Sequence, residues 1–229
     1  MTRNFTILFD LDGTLVDTAP DLMSAHNHVM EKYGFPTKST EEIRNLVGKG
    51  AGALIGRSIW GQAKKEYQSV TDQKIKDEMV KEFIDFYGKN IIKESTLIIG
   101  VIEFLKWCKE KKISMAVCTN KQEHLAIDLL KKIGIYNYFE YVAGVNTFSY
   151  CKPDPRHLTS IIEILDGDIK KTLMFGDSET DANAAKAASI PVILLENGYT
   201  EKKTDEIYHN HLIKDFIGVE KIVSTYLKD

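Results

Sequence analysis

The apolar positions change rhythm twice along the chain. Thr6-Ile7-Leu8-Phe9 is a short, mostly apolar run that stops at Asp10, Asp12 and Gly13, the pattern of a buried strand closed by a turn. Helical spacing follows. Thr18-Ala19-Pro20-Asp21 is a start signal, with Leu22, Ala25, Val29, Met30 and Tyr33 on one stripe and Gly34 as the stop. Ser39 and Glu42 predict a capping box for a short helix through Ile43, Leu46 and Val47, which Gly48-Lys49-Gly50-Ala51-Gly52 interrupts. A third helix is expected over Leu54–Trp60 and a fourth from Asp72, with Ile75, Met79, Phe83 and Tyr87 on one face.

From Leu97 onward helices and apolar strands alternate. Val101, Phe104, Leu105 and Cys108 form a helical stripe, Ile113–Cys118 a strand, and Leu125, Leu129 and Ile133 a helix closed by Gly134. Tyr141–Ala143 is a short strand, Leu158, Ile161, Ile162 and Leu165 a helix, and Thr172–Phe175 a strand. Ala182–Ala188 is a helix of small residues, and Pro191–Leu195 a further strand. This alternation predicts a doubly wound α/β fold, a parallel sheet covered on both faces. The expected division is a core of residues 1–17 and 91–229, interrupted after its first strand by an all-helical cap domain of residues 18–90.

Composition narrows the function classes. Hydrophobic residues at 43% and charged residues at 28% over 229 positions are those of an ordinary globular protein. A net charge of −3 offers no basic footprint for nucleic acid or an anionic membrane, and no apolar run has the length of a membrane span. Cys108, Cys118 and Cys151 are odd in number and lack CxxC spacing, so neither a disulfide framework nor a zinc site is expected, and the cytoplasm is the expected compartment. The histidines show no metal-ligand spacing either.

Ligands of open parallel sheets bind beyond the carboxyl ends of the strands. The first strand delivers Asp10 and Asp12 on one side of an extended chain, a costly pair of acids unless a cation with a taste for oxygen neutralises it. The second ends in Thr119-Asn120 at a helix start, suited to an anion or simply to capping. The loop after the third holds Lys152, by itself an ordinary surface lysine. The fourth ends in Gly176-Asp177-Ser178-Glu179-Thr180-Asp181, whose acids either cap a helix or complete a metal site beside Asp10.

Together, in this order, Asp10-Leu11-Asp12-Gly13-Thr14, Thr119, Lys152 and Gly176-Asp177 with Asp181 resemble the four motifs of the haloacid dehalogenase superfamily. The helical insertion resembles the cap of its first subclass. Val16 to Leu22, Val47-Gly48-Lys49-Gly50 and Thr119-Asn120-Lys121 look most like the phosphoglycolate phosphatase family. The resemblance implies an Mg²⁺-dependent phosphomonoester hydrolase acting through an aspartyl-phosphate, with 2-phosphoglycolate as the expected substrate. It implies Asp10 as nucleophile, Asp12 as general acid and base, and Lys152 as a charge-neutralising catalytic group. It further implies Asp10, the Asp12 carbonyl and Asp177 as metal ligands, with Thr14 and Asp181 supporting them. Phosphoryl oxygens fall to Thr119, Lys152 and backbone N–H groups around Leu11, Asp12 and Asn120, and Lys49 is a candidate for a substrate carboxylate. The expected partner is a small phosphorylated metabolite, bound by a monomer or homodimer.

Other readings stay open on the sequence: a phosphatase for a sugar phosphate, a nucleotide or pyrophosphate; a phosphomutase; or a regulatory domain phosphorylated on Asp10 without turnover. Retention of Asp12 argues against a dehalogenase, whose halide leaves without a proton, and against a receiver-like module, which needs no such acid. Ile98-Ile99-Gly100, Cys151 and Ser189 depart from the residues usual at those places.

Overall fold

A computed structural model describes residues 5–61 and 70–227. Six parallel strands form one sheet in the order β5-β4-β1-β6-β7-β8: β1 is Thr6–Phe9, β4 Ser114–Cys118, β5 Tyr141–Ala143, β6 Thr172–Gly176, β7 Val192–Leu195 and β8 His211–Ile213. Strands β1, β4, β6 and β7 are buried throughout, as strands covered on both faces must be. Alternation then divides each strand between two cores. Ile7, Phe9, Met115, Val117, Leu173 and Phe175 face one side. There they meet Val101, Phe104, Leu105 and Cys108 of α5 (Val101–Glu110) and Leu125 and Leu129 of α6 (Glu123–Lys132). Leu8, Ala116, Cys118 and Met174 face the other, under α7 (Arg156–Ile164) and the small-residue helix α8 (Glu179–Ala187). Phe9 and Phe175 stack across the first core at 5.2 Å, and Phe216 closes it from the C-terminal side at 5.6 Å from Phe175.

Register decides what the sheet presents. Phe9 pairs with Val117 on one side and Phe175 on the other, so Asp10, Thr119 and Asp177 emerge close together at one sheet end. β1 lies between β4 and β6, where connections leave in opposite directions, the place where such sheets open a crevice.

Helices α1 (Ala19–Lys32), α2 (Thr40–Arg44), α3 (Ala51–Trp60) and α4 (Val70–Lys89) occupy the stretch between β2 (Val16–Asp17) and β3 (Thr96–Leu97). The capping box of α2 is present: Glu42 N donates to Ser39 Oγ at 3.3 Å and Ser39 N to Glu42 Oε2 at 2.8 Å. α3 starts three residues before the expected Leu54, since Gly50, at φ +83°, already begins the turn. The antiparallel ribbon β2–β3, too short to carry a hydrophobic period, is not foreseen in the sequence. Buried Asp21 fastens its base, accepting from Ser95 N at 2.9 Å and Ser95 Oγ at 2.6 Å. The C-terminal β8 and α9 (Val219–Tyr226) are likewise unexpected. Among the described residues no helix is long and apolar enough to cross a membrane.

Candidate active site

At the carboxyl end of β1, Asp10 Oδ1 accepts the Leu11 amide at 2.7 Å and lies 3.0 Å from Lys152 Nζ. Lys152 donates to Asp181 Oδ1 at 2.7 Å, so one ammonium bridges two carboxylates. The other Asp181 oxygen receives the amides of Asp177 and Ser178 and the Ser178 hydroxyl, which completes a capping box at the start of α8. Asp177 accepts the Thr14 hydroxyl at 3.2 Å and the Tyr199 amide at 2.6 Å. Asp10, Lys152, Asp177 and Asp181 are all buried.

Burial sets the electrostatics. It pushes Asp10 up to about 6, against the pull of Lys152 and with Asp181 and Asp12 adding to the rise. Asp177 is pushed well above the carboxylate range by burial and then by Asp181 and Asp10. Burial works against the charge on Lys152, but Asp10 and Asp181 override it and hold its pKa above that of a free lysine.

One oxygen each of Asp10, Asp177 and Asp181 lie within 4.8 Å of one another. Three buried carboxylates face a single buried ammonium, and the partners of Asp177 are neutral donors. A divalent cation fits this surplus of oxygen and negative charge. Among the described residues Asp10 Oδ2 has no protein donor and each Asp177 oxygen takes a single neutral one, whereas Asp181 is held by the Lys152 ammonium on one oxygen and three donors on the other. The Asp12 carboxylate lies outside the cluster. It accepts Lys121 Nζ at 2.7 and 2.9 Å and the Thr18 hydroxyl at 2.7 Å.

Two glycines let the chains approach. A Cβ on Gly13, at φ +80°, would stand 2.2 Å from Asp177 Oδ2, and one on Gly198 would stand 1.9 Å from the Asp177 carbonyl.

Beside Asp10 and Asp12 opens a cavity of about 60 Å³ between the core loops and α1, α3 and α4. Thr119, Asn120 and Lys121 line its floor, and Leu22, Leu54, Phe83 and Tyr87 its helical wall. Buried Thr119 accepts the Lys121 amide at 3.2 Å. The Asn120 side chain donates to Gly48 O at 3.1 Å and Lys152 O at 2.9 Å, tying the 47–50 loop to the Lys152 loop.

The structure thus brings Asp10, Asp12, Thr14, Thr119, Asn120, Lys152, Asp177 and Asp181 together. Two sequence expectations need amendment. The Leu11 amide, expected to face phosphate, is occupied by Asp10. Lys49 does not line the cavity: Gly48 and Gly50 both have positive φ, and the turn they make leaves Lys49 exposed over a separate cleft with Arg57, Ser178 and Tyr199. Lys121, Tyr87 and Tyr199 had no assigned role. Lys121 follows the Thr119-Asn120 signal directly, yet only the fold brings it to Asp12, and no motif marks either tyrosine.

Residues 7–195 match the haloacid dehalogenase-like hydrolase family. A phosphoglycolate phosphatase of Mesorhizobium japonicum is 39% identical over 210 residues, 92% of this chain and 90% of that protein. One of Caulobacter vibrioides is 36% identical over 222 residues, 97% of this chain and 92% of the relative. A crystal structure from Haemophilus somnus 129PT, described as a predicted phosphoglycolate phosphatase, superposes with a TM-score of 0.88 at 29% identity, covering 97% of this chain and 99% of that one. With the motif residues gathered at one sheet end and relatives this similar over nearly their whole length, the chain belongs to the haloacid dehalogenase-like hydrolases.

Proposed function

We propose that this chain is an Mg²⁺-dependent phosphomonoester hydrolase whose preferred substrate is 2-phosphoglycolate. The observation that carries the reading is the Asp10–Lys152–Asp181 chain beside Asp177, opening onto a small cavity that also holds Asp12. Asp10 attacks phosphorus. Its Oδ–P bond forms as the bond to the leaving oxygen breaks, and Asp12 gives that oxygen a proton. Asp12 then takes a proton from the water that attacks the aspartyl-phosphate, and inorganic phosphate leaves with Asp10 restored. Lys152 balances the anionic charge gathering at Asp10, and Asp181 keeps its ammonium there. Thr119 holds a phosphoryl oxygen, and backbone N–H groups near Asp12 and Asn120 supply further donors. The cation, held by Asp10, the Asp12 carbonyl and Asp177, would reduce repulsion between nucleophile and phosphate.

Substrate size follows from the cavity, a narrow one pressed between the core loops and the helices of residues 18–90. That suits the few atoms of a two-carbon acid better than a sugar ring or nucleoside. Residues 18–90 would act as a cap closing over the core of 1–17 and 91–229, with the β2–β3 ribbon as its stalk. The names of the relatives favour the same substrate. The cytoplasm is the compartment we assign, in keeping with buried Cys108 and Cys118 left as free thiols.

Phosphate release from 2-phosphoglycolate, beside a sugar phosphate, a nucleotide and pyrophosphate, tests the proposal. Release dominated by phosphoglycolate, lost in EDTA and in Asp10→Asn, is the expected result. Metal-dependent release spread evenly over the panel would overturn the substrate, and release from none of them the activity.

A further inference from the structure

The cavity is apolar along one side. Leu22, Val47, Ala51, Leu54, Phe83 and Leu125 line it there and none can meet a charged group, while Thr119, Asn120 and Gln122 add only neutral polar groups. Among its described lining residues Lys121 is the one basic side chain, set among the acids Asp10 and Asp12. A substrate with a second anion, beyond its phosphate, would bring that charge into a low-dielectric wall already carrying two carboxylates. Without a cation to receive it, such a substrate would be repelled.

Lys121 is placed to receive it. Its side chain is 5% exposed, with Nζ 4.4 Å from the Tyr87 ring centroid and bonded to both oxygens of Asp12. In the proposed reaction Asp12 touches the ester oxygen. In a phosphorylated 2-hydroxy acid the carboxylate carbon lies two bonds past that oxygen, so an ammonium bonded to Asp12 is within a short reach of it. The exchange leaves no partner stranded. If Lys121 turns from Asp12 to the substrate, Asp12 keeps the Thr18 hydroxyl at 2.7 Å, and Lys121 keeps a carboxylate.

An unsatisfied polar group lies beside Lys121. The Tyr87 hydroxyl is fully buried and has no hydrogen-bond partner, while its ring lines the cavity under Lys121 and the side chain lies within electrostatic reach of Asp12. An unpaired buried hydroxyl is costly unless something binds it. A carboxylate has the two acceptor oxygens needed to take one hydrogen bond from each of Lys121 and Tyr87.

We propose that Lys121, with Tyr87 beside it, is the specificity-determining residue of this site: it selects phosphate monoesters bearing a carboxylate next to the ester carbon, taking that carboxylate in exchange for Asp12. The inference rests on the phosphatase reading above and adds the group that chooses among esters.

The test compares kcat/KM for 2-phosphoglycolate with that for 2-hydroxyethyl phosphate, which replaces the carboxylate by a neutral hydroxymethyl group, in Mg²⁺. The wild-type protein is expected to favour the carboxylated ester by about 10- to 100-fold, the scale of a hydrogen bond to a charged group. In Lys121→Met the ratio falls toward unity, mostly through KM, and Lys121→Arg restores part of it. Inhibition by glycolate alone weakens by a similar factor in Lys121→Met. Tyr87→Phe lowers the same ratio by a smaller factor.

Equal efficiency of the wild-type protein on both esters overturns the inference while leaving the phosphatase intact, and requires no variant to fold. Hydrolysis of neither ester removes the phosphatase reading and this inference with it. An equal loss on both esters in a folded Lys121→Met, with the ratio unchanged, would reduce Lys121 to an anchor of Asp12. Collapse of the ratio in Lys49→Met instead would move the selection to the other lysine.

Discussion

Tyr199 holds Asp177 by its backbone amide, 2.6 Å from Oδ2, while the phenol of the same residue accepts the amides of Thr18 at 2.8 Å and Ala19 at 2.9 Å and donates to Asp17. One residue thus ties an acid of the proposed metal site to the ribbon from which α1 departs. Arg44 of α2 packs over the ring and also bonds Asp17 at 2.7 Å.

Tyr199→Phe separates the two ties. The backbone bond to Asp177 survives, but the buried Thr18 amide loses its acceptor and Ala19 keeps only Asp17 Oδ1 at 3.3 Å, which costs about 1–3 kcal/mol. The expected result in denaturant unfolding is a loss of that size with the midpoint for Mg²⁺ activation little changed. A variant as stable as the wild type would show that the phenol carries none of the link between the helices and the sheet.

Gly13→Ala acts on the same carboxylate from the other side. The backbone there has φ +80°, and a new Cβ would meet Asp177 Oδ2 at 2.2 Å, so Asp177 has to move. The left-handed conformation adds roughly 1–2 kcal/mol of strain. Titrating activity with Mg²⁺ should show half-activation moving at least about tenfold upward, as a displaced ligand weakens a cation site. An unchanged titration would mean that Asp177 is not among the ligands.

What the sequence could reveal follows from the range of each interaction. The strand ends were legible because Asp10, Thr119 and Asp177 each follow a short apolar run, and the Ser39–Glu42 box because both partners lie within one turn, whereas Lys152, in a loop nine residues past β5, stood out only beside the other three. The Lys121–Asp12 pair spans 109 positions and the Tyr199–Asp17 pair 182, distances over which no periodicity reports. The side on which Lys49 would fall depended on two glycine φ angles, and glycine permits either sign. Strands β2 and β3, two residues each, carry no alternation to read.

Lys152 is the cation on which two buried acids depend. Lys152→Met would leave Asp10 and Asp181 without it, and breaking a buried pair from one side costs about 3–5 kcal/mol. Turnover should fall by ~10²–10³-fold or more, the effect of removing one donor from developing negative charge. Mg²⁺ should raise the melting temperature of this variant more than that of the wild type, because the uncompensated carboxylates then have only the metal. Equal metal-induced shifts in the two proteins would argue that Lys152 and the cation do not share the Asp10 charge.

His157 makes the fold sensitive to acid. Its ring is fully buried, Nδ1 accepts the Lys152 amide at 3.2 Å, and Nε2 has no partner. Burial first, and the Lys152 ammonium second, hold its pKa down to about 3, with Asp154 pulling weakly the other way. In the unfolded chain a histidine titrates near 6.5, so below that pH the unfolded state binds a proton the folded state refuses. The stability owed to the neutral ring is complete above about 6.5 and drains away as pH falls toward about 3, amounting to about 2 kcal/mol between pH 7 and pH 5. Asp10 acts with the opposite sign. Raised to about 6, it favours the folded state below its unfolded value, and that advantage is lost as pH rises through about 6. Comparing wild type with His157→Asn, whose amide oxygen can still accept the Lys152 N–H, cancels the Asp10 contribution and leaves the histidine. Urea unfolding at pH 7 and pH 5 should show the stability gap between the two proteins shift by about 2 kcal/mol in favour of the variant at the lower pH. A constant gap would mean that the His157 proton is taken up equally by both states, and the acid sensitivity would have to come from the carboxylates.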